Sequence, residues 1–357
     1  MINNSQKQRN SLSLREGKLT TFFLGILVLF ASGLVLRHLQ VIFKPLLIAV
    51  FLSLLFEPMV RSLMRLRIPK FFAFLISLLL VFAILWSLGL LVYASVASFV
   101  EGFPKYQSKF HDLYMSTIES LKIPHEQVKV YIQQVKWADV WENLSLTSFV
   151  TSTVGSFISF LTNLFFVLLF TIYIVLGKEH FRSKLDQSFA PERAERIADI
   201  FKNINLGVQK YLVTKLLVSL GTGILVAAIL SIFGVDFALV WGLLTFLLNF
   251  IPNIGSVIAT IPPILLAFLQ YGSVFPGLWV AILLIGTQVT MGNIVEPRVM
   301  GKSLNLSPLV VIVSLVFWGF IWGPVGMVLA VPISSTIQIV CGNIDSLKPV
   351  SALMGGE

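Results

Sequence analysis

From Phe237 to Val295 the chain carries no Asp, Glu, Lys or Arg, and the same holds from Ser303 to Ile344. A helix bathed in water needs a polar face, and these stretches have no charge with which to build one. A lipid bilayer can solvate them instead. One crossing takes about 20 apolar residues, so each stretch is too long for a single span and must be divided where the backbone breaks. Candidate breaks stand at Pro252-Asn253 and Gln270–Pro276, with a kink at Pro262-Pro263. In the second stretch the break is read at Gly319–Pro324, with Pro332 beyond it.

The rest of the chain agrees. Charged residues make up 12% of it and hydrophobic residues 56%, against about a quarter charged in soluble domains. Further apolar runs lie at Leu19–Leu36, Leu39–Val60, Phe71–Val100, Asn143–Gly177 and Leu216–Val235. The reading is an all-α polytopic membrane protein with about eight hydrophobic membrane segments. Its parts are an N-terminal tail (1–18), three spans (19–100), an amphipathic helical segment outside the bilayer (101–147) and a fourth span (148–177). An amphipathic helix (178–210), a membrane core (211–344) and a C-terminal tail (345–357) follow.

Charge sets the orientation. Lys and Arg crowd the N-terminal tail, the Arg61–Lys70 link and the Lys178–Lys215 segment, whereas Glu101–Glu142 is nearly balanced. The positive-inside rule places the basic segments and both termini in the cytoplasm; Arg37 and Lys44 fall against this scheme. The net charge of +9 then reads as a topology signal, and no nucleic-acid partner is read from it. One cysteine, Cys341, and four scattered His residues offer neither a disulfide nor metal-ligand spacing. No phosphate loop, HExxH or GxSxG occurs, so no enzyme, catalytic residue, cofactor or metal is expected.

The two uncharged stretches echo each other. PNIGSVIATIP (Pro252–Pro262) aligns with GPVGMVLAVP (Gly323–Pro332), matching Gly255 to Gly326, Val257 to Val328 and Ala259 to Ala330. Two arrangements fit: six full spans plus two re-entrant hairpins, forming inverted repeats, or eight spans of which some are kinked. Broken backbone at membrane depth is tolerated only in protein or beside a water-filled cavity, and paired breaks in inverted repeats point to a transporter's binding site. The two breaks are therefore expected to meet near the midplane and form one site.

The run NFIPNIGSVIATIPP, followed by VEPRVMGKSLNLSPLVVIVSLVFWGFIWGPVGMVLAVP, resembles the signature of the autoinducer-2 exporter family of PerM-like bacterial permeases, over roughly Leu19–Ile344. The resemblance implies a transporter of small molecules in the bacterial cytoplasmic (inner) membrane. It implies an exporter of an autoinducer-2-like signal or a sodium/proton antiporter, and a homo-oligomeric architecture.

The residues that could carry transport are few. Asn249 and Asn253 offer amides at the first break, Pro252 frees a carbonyl there and Gly255 permits close backbone approach. Gln288 and Asn293 lie on the helix before Glu296, and Arg298 is read as the partner of Glu296 or as an anion clamp. Ionisable groups beside an apolar core are costly and raise a functional reading by default. Glu296, Asp236 and Glu57 are the candidate coupling carboxylates for H+ or Na+, and Gly323 and Pro324 form the second break. Each also has a structural reading: Asn residues satisfying broken backbone, Glu296 and Glu57 as interfacial helix ends. A scaffold working through Glu101–Glu142 is the reading of another class; it has no use for paired breaks.

Overall fold

A computed structural model describes residues 24–25, 27–28, 31–102, 105–106, 146–301 and 306–356. The tail at 1–18 and nearly all of the amphipathic segment at 101–147 lie outside the described residues. Among those described, secondary structure is helical apart from one isolated antiparallel bridge between Leu306 and Gly355. Among the described residues six helices are long and apolar enough to cross a membrane, and shorter apolar helices accompany them. The chain is an all-α polytopic membrane protein. Its surface carries many exposed large apolar side chains, among them Leu79, Phe165, Leu217, Leu239, Phe275 and Phe320, as lipid contact requires.

After a helical stretch at 31–38 come α1 (Gln40–Arg65), α2 (Lys70–Gly102), α3 (Leu146–Ser188) and α4 (Pro191–Ile232). The segment read as one amphipathic helix at 178–210 is two. Its first part continues α3, and Pro191 begins α4 after an extended Ala190; the residue before a proline is pushed out of the helical region, and proline suits the first helical turn. At 42 residues α4 is about 63 Å long, twice the hydrocarbon thickness of about 30 Å. Its charged first half therefore continues unbroken into an apolar span.

Two helix pairs follow. The first is α5 (Ala238–Leu248) and α6 (Ile254–Tyr271); then α7 (Val274–Thr290), a π-helical turn (Met291–Val295) and α8 (Glu296–Met300) lead to the second, α9 (Pro308–Trp322) and α10 (Pro324–Gly342). A short α11 (Lys348–Met354) ends the described chain. All three predicted interruptions are present, at Pro252-Asn253, between Tyr271 and Val274, and at Gly323. Asn253 sits at φ 60° and Gly323 at φ 66°, a region that asparagine and glycine enter most readily. Pro262 and Pro263 stay inside α6.

Each pair is a hairpin whose outer ends lie together. At the first, Gln270 donates to the Gly234 carbonyl at 2.7 Å and accepts from the Asp236 amide at 2.8 Å, and the Tyr271 hydroxyl donates to the Phe233 carbonyl. The hairpin thus starts and finishes at the C-terminal end of α4. At the second, the Ser307 amide donates to the Met354 carbonyl at 2.9 Å. There Arg196, near the N-terminal end of α4, donates to the Asn343 carbonyl at 2.9 Å. The two hairpins are therefore based at opposite ends of α4 and point toward each other.

The inner geometry of the hairpins matches as well. A Cβ added to Gly255 would lie 1.8 Å from the Leu248 carbonyl oxygen, and one added to Gly326 would lie 1.9 Å from that of Trp318. In both hairpins the returning helix rests its first turn on the last turn of its partner. Ala259 and Ala330, paired by the sequence repeat, are both 0% exposed. The hairpin tips meet: Ile251 packs with Leu315, Trp318, Ile321 and Trp322 in one apolar cluster.

Candidate functional site

A pocket of about 480 Å³ opens between α6 and α7. On α6 and its N-cap the wall is Asn253, Ser256, Val257, Thr260, Ile261 and Ile264, and on α7 and the π turn it is Ile285, Gln288, Val289, Gly292 and Asn293. Both sets follow the three-and-four spacing of one helical face. Polar groups gather at the inner end, near the first break, and isoleucines at the other.

The inner end holds an ion pair that spans 81 residues of sequence. Lys215 Nζ donates to both carboxylate oxygens of Glu296, at 2.7 and 2.9 Å. The Lys215 side chain is 4% exposed and that of Glu296 18%. Such a cation is tolerable only because its partner is bound by two charge-assisted bonds. One turn further along α4, Ser219 Oγ accepts from Asn249 Nδ2 at 3.2 Å. One turn earlier, Tyr211 is 4% exposed and lies within electrostatic reach of Glu296.

Several polar atoms here are buried without a hydrogen-bond partner among the described residues: the Tyr211 hydroxyl, Thr245 Oγ1 and Gln288 Nε2. Unpaired buried polar groups are expensive and rare. Gln288 is also a lining residue of the pocket, although its Nε2 is itself buried. The π turn at Met291–Val295 inserts between Gln288 and Glu296; such bulges frequently occur at functional sites.

Six of the residues singled out in the sequence therefore line one pocket: Asn249, Pro252, Asn253, Gln288, Asn293 and Glu296. The partner of Glu296 is Lys215, and Arg298 is exposed and absent from the lining. Lys215 was missed because it closes a basic segment and reads as one more topological charge. Its signal was the spacing of Tyr211, Lys215 and Ser219, a polar face within an increasingly apolar helix.

The amino-acid pattern of the AI-2E family transporters matches residues 24–345. The chain belongs to the AI-2E family. Among similar proteins, AI-2 transport protein TqsA of Escherichia coli strain K12 is 32% identical over 345 residues, 95% of this chain and 96% of its own length. A Borreliella burgdorferi protein to which transport is ascribed is 32% identical over 340 residues, 95% of this chain and 91% of that one. This AI-2E family transporter is thus a multi-pass membrane carrier of a small solute.

The remaining candidates lie elsewhere in the transporter. Gly255 supports the first break from behind, against Leu248. Gly323 and Pro324 do not line this pocket; the two tips meet through apolar packing, and the described lining draws on the first break alone. Asp236 sits at the base of the first hairpin, where Lys105 pairs with it at 3.1 Å and the Tyr106 hydroxyl donates to it. Burial, then the hydrogen bond to Asp236 and its charge, hold the Tyr106 hydroxyl protonated well above the usual phenol range. Glu57 pairs with Arg61 one turn on and lines a second cavity.

Proposed function

We propose that the pocket between α6 and α7 is the solute site, and that the family member described here exports a small, uncharged, hydroxyl-rich molecule of the autoinducer-2 kind from the bacterial cytoplasm. The observation that carries this reading is the lining. Amides from Asn249, Asn253, Gln288 and Asn293 and hydroxyls from Ser256 and Thr260 surround one Lys215–Glu296 pair. The lining's formal charges cancel, while its hydrogen-bond donors and acceptors are many. Such a surface suits a neutral polar solute better than an ion of either sign. The similarity to the AI-2 transport protein TqsA supports the choice of solute. The charge-based orientation, with both termini cytoplasmic, supports the inner membrane and places the base of the first hairpin outside. Assembly as a homo-oligomer belongs to the same reading.

Sodium/proton antiport is the second reading, and the buried Lys215–Glu296 pair favours it. A cation reaching Glu296 would displace Lys215, coupling ion binding to movement of α4 against α8.

The test is solute uptake and efflux in proteoliposomes, with sodium and proton gradients imposed separately. Asn253→Ala and Asn293→Ala are each expected to raise the half-saturating solute concentration about 3- to 10-fold, the worth of one hydrogen bond. Arg298→Ala should leave it unchanged. Wild-type kinetics in both asparagine variants would remove the site assignment. Cation exchange without any solute flux would favour the antiporter.

A further inference from the structure

A second cavity, of about 740 Å³, lies between α1, α3 and α4, away from the proposed solute site and independent of it. Its lining is graded. Gln209 Nε2 donates to the Leu54 carbonyl at 2.8 Å and ties α4 to α1 at one end. Seven residues away on each helix, about 10 Å at helical rise, come Lys202 on α4 and Arg61 on α1, both on the lining. The third helix brings its cation to the same end. Phe181 meets Phe201 edge to face at 4.8 Å, so the neighbouring Arg182 and Lys202 sit at matching heights. Between these cations and the Gln209 end the walls carry Ile174, Gly177, Phe181, Phe201 and Leu206 beside Glu57 and Asn205, and Val50 extends the apolar wall one turn past Leu54.

The charge at the mouth is unbalanced. Three cations line the cavity against one carboxylate, Glu57. Half-buried Glu57 is held by exposed Arg61, and Arg182 pairs with Asp186 at 3.3 Å in a helix-turn pair exposed on both sides. Exposed pairs of this kind are weak and yield readily to a stronger anion. Lys202 has no ion pair among the described residues.

We propose that this cavity binds an anionic membrane phospholipid, with the phosphate held by Arg61, Arg182 and Lys202 and an acyl chain lying along the apolar groove toward Gln209. The three cations stand where basic segments meet apolar helices, the level of the headgroups. Basic pockets between membrane helices recognise anionic headgroups there. The graded lining selects a lipid over a soluble anion, which would leave the apolar groove unfilled. A lipid wedged between α3 and α4 would also set the angle at the Phe189–Ala190 break, where these two long helices join.

The full chain in neutral detergent is titrated with phosphatidylglycerol, with phosphatidylcholine of the same acyl chains, and with soluble glycerol phosphate. Thermal unfolding and retained lipid phosphorus per chain are measured. Phosphatidylglycerol should act at lower concentration than phosphatidylcholine, and glycerol phosphate should have little effect. Lys202 is exposed, so Lys202→Gln should fold as the wild type does, a point its unfolding midpoint without added lipid checks. That variant should need about fivefold more phosphatidylglycerol, the share of one cation, with an unchanged response to phosphatidylcholine; Lys202→Arg should restore the wild-type response. Equal action of the two lipids, or an unaltered phosphatidylglycerol response in Lys202→Gln, overturns the proposal. Glycerol phosphate matching the lipid would make the cavity a soluble-anion site and refute it. Should Lys202→Gln instead change the oligomeric mass and leave lipid retention intact, the groove belongs to a second copy of the chain, and the proposal falls.

Discussion

Replacing Glu296 with glutamine is expected to stop solute transport and to lower stability by about 3–5 kcal/mol, the usual penalty for leaving one member of a buried ion pair uncompensated. Lys215 Nζ lies 2.7 Å from Glu296 Oε1, and the lysine side chain is 4% exposed. Removing the negative charge strands the ammonium between α4 and α8, with Tyr211 above it and Ser219 below. Lys215→Met should destabilise less, because Glu296 is the more exposed of the two and opens onto the pocket. The combination Lys215→Met with Glu296→Gln is expected to recover most of the lost stability while flux stays absent. Thermal unfolding in detergent and proteoliposome flux separate the two effects. Transport retained in the double variant would show that the pair serves folding alone.

Gly255→Ala and Gly326→Ala are expected to be the most damaging small substitutions in the chain, each costing at least about 3 kcal/mol and cutting the yield of folded protein in the membrane. Overpacking a core ordinarily costs about 1–3 kcal/mol, because side chains give way. Here the obstacle is backbone: the added carbon would sit 1.8 Å from the Leu248 carbonyl oxygen or 1.9 Å from that of Trp318. Neither helix can yield without opening its hairpin. Gly286→Ala is the control, since a Cβ there meets nothing within 4 Å, and it should be neutral or mildly stabilising, as alanine is in helices. Unfolding midpoints for Gly255→Ala and Gly326→Ala equal to that of Gly286→Ala would refute the close contact.

Much of this was legible beforehand, for identifiable reasons. Uncharged stretches and their breakers depend on local chemistry, so the division at Pro252-Asn253 and Gly323-Pro324 could be read directly. The internal echo also carried over, since Gly255 and Gly326 meet the same kind of obstacle and Ala259 and Ala330 are equally buried. Pairing across long separations was not legible. Arg298 is two residues from Glu296 and looked like its partner, yet residues two apart on a helix face different ways, and Lys215 arrives from another helix. Nor could the pattern say which groove stays open. That depends on shape: Ile251 fills the space beside Trp318 and Trp322, leaving the hollow on the other flank of the first break, where α6 parts from α7.

Two arms that touch carbonyl to glycine cannot slide along each other. Each hairpin must therefore travel as a jackknife held shut, and any rearrangement during the transport cycle is displaced to its hinges. Left-handed turns stand at the edges of the hairpins: Gly234, Phe237 and Gly272 flank the first hairpin and Gly301 precedes the second, with φ values of 67°, 61°, 58° and 55°. Spin labels placed across α5 and α6 should keep one separation with or without solute, while labels across α6 and α7 should report two.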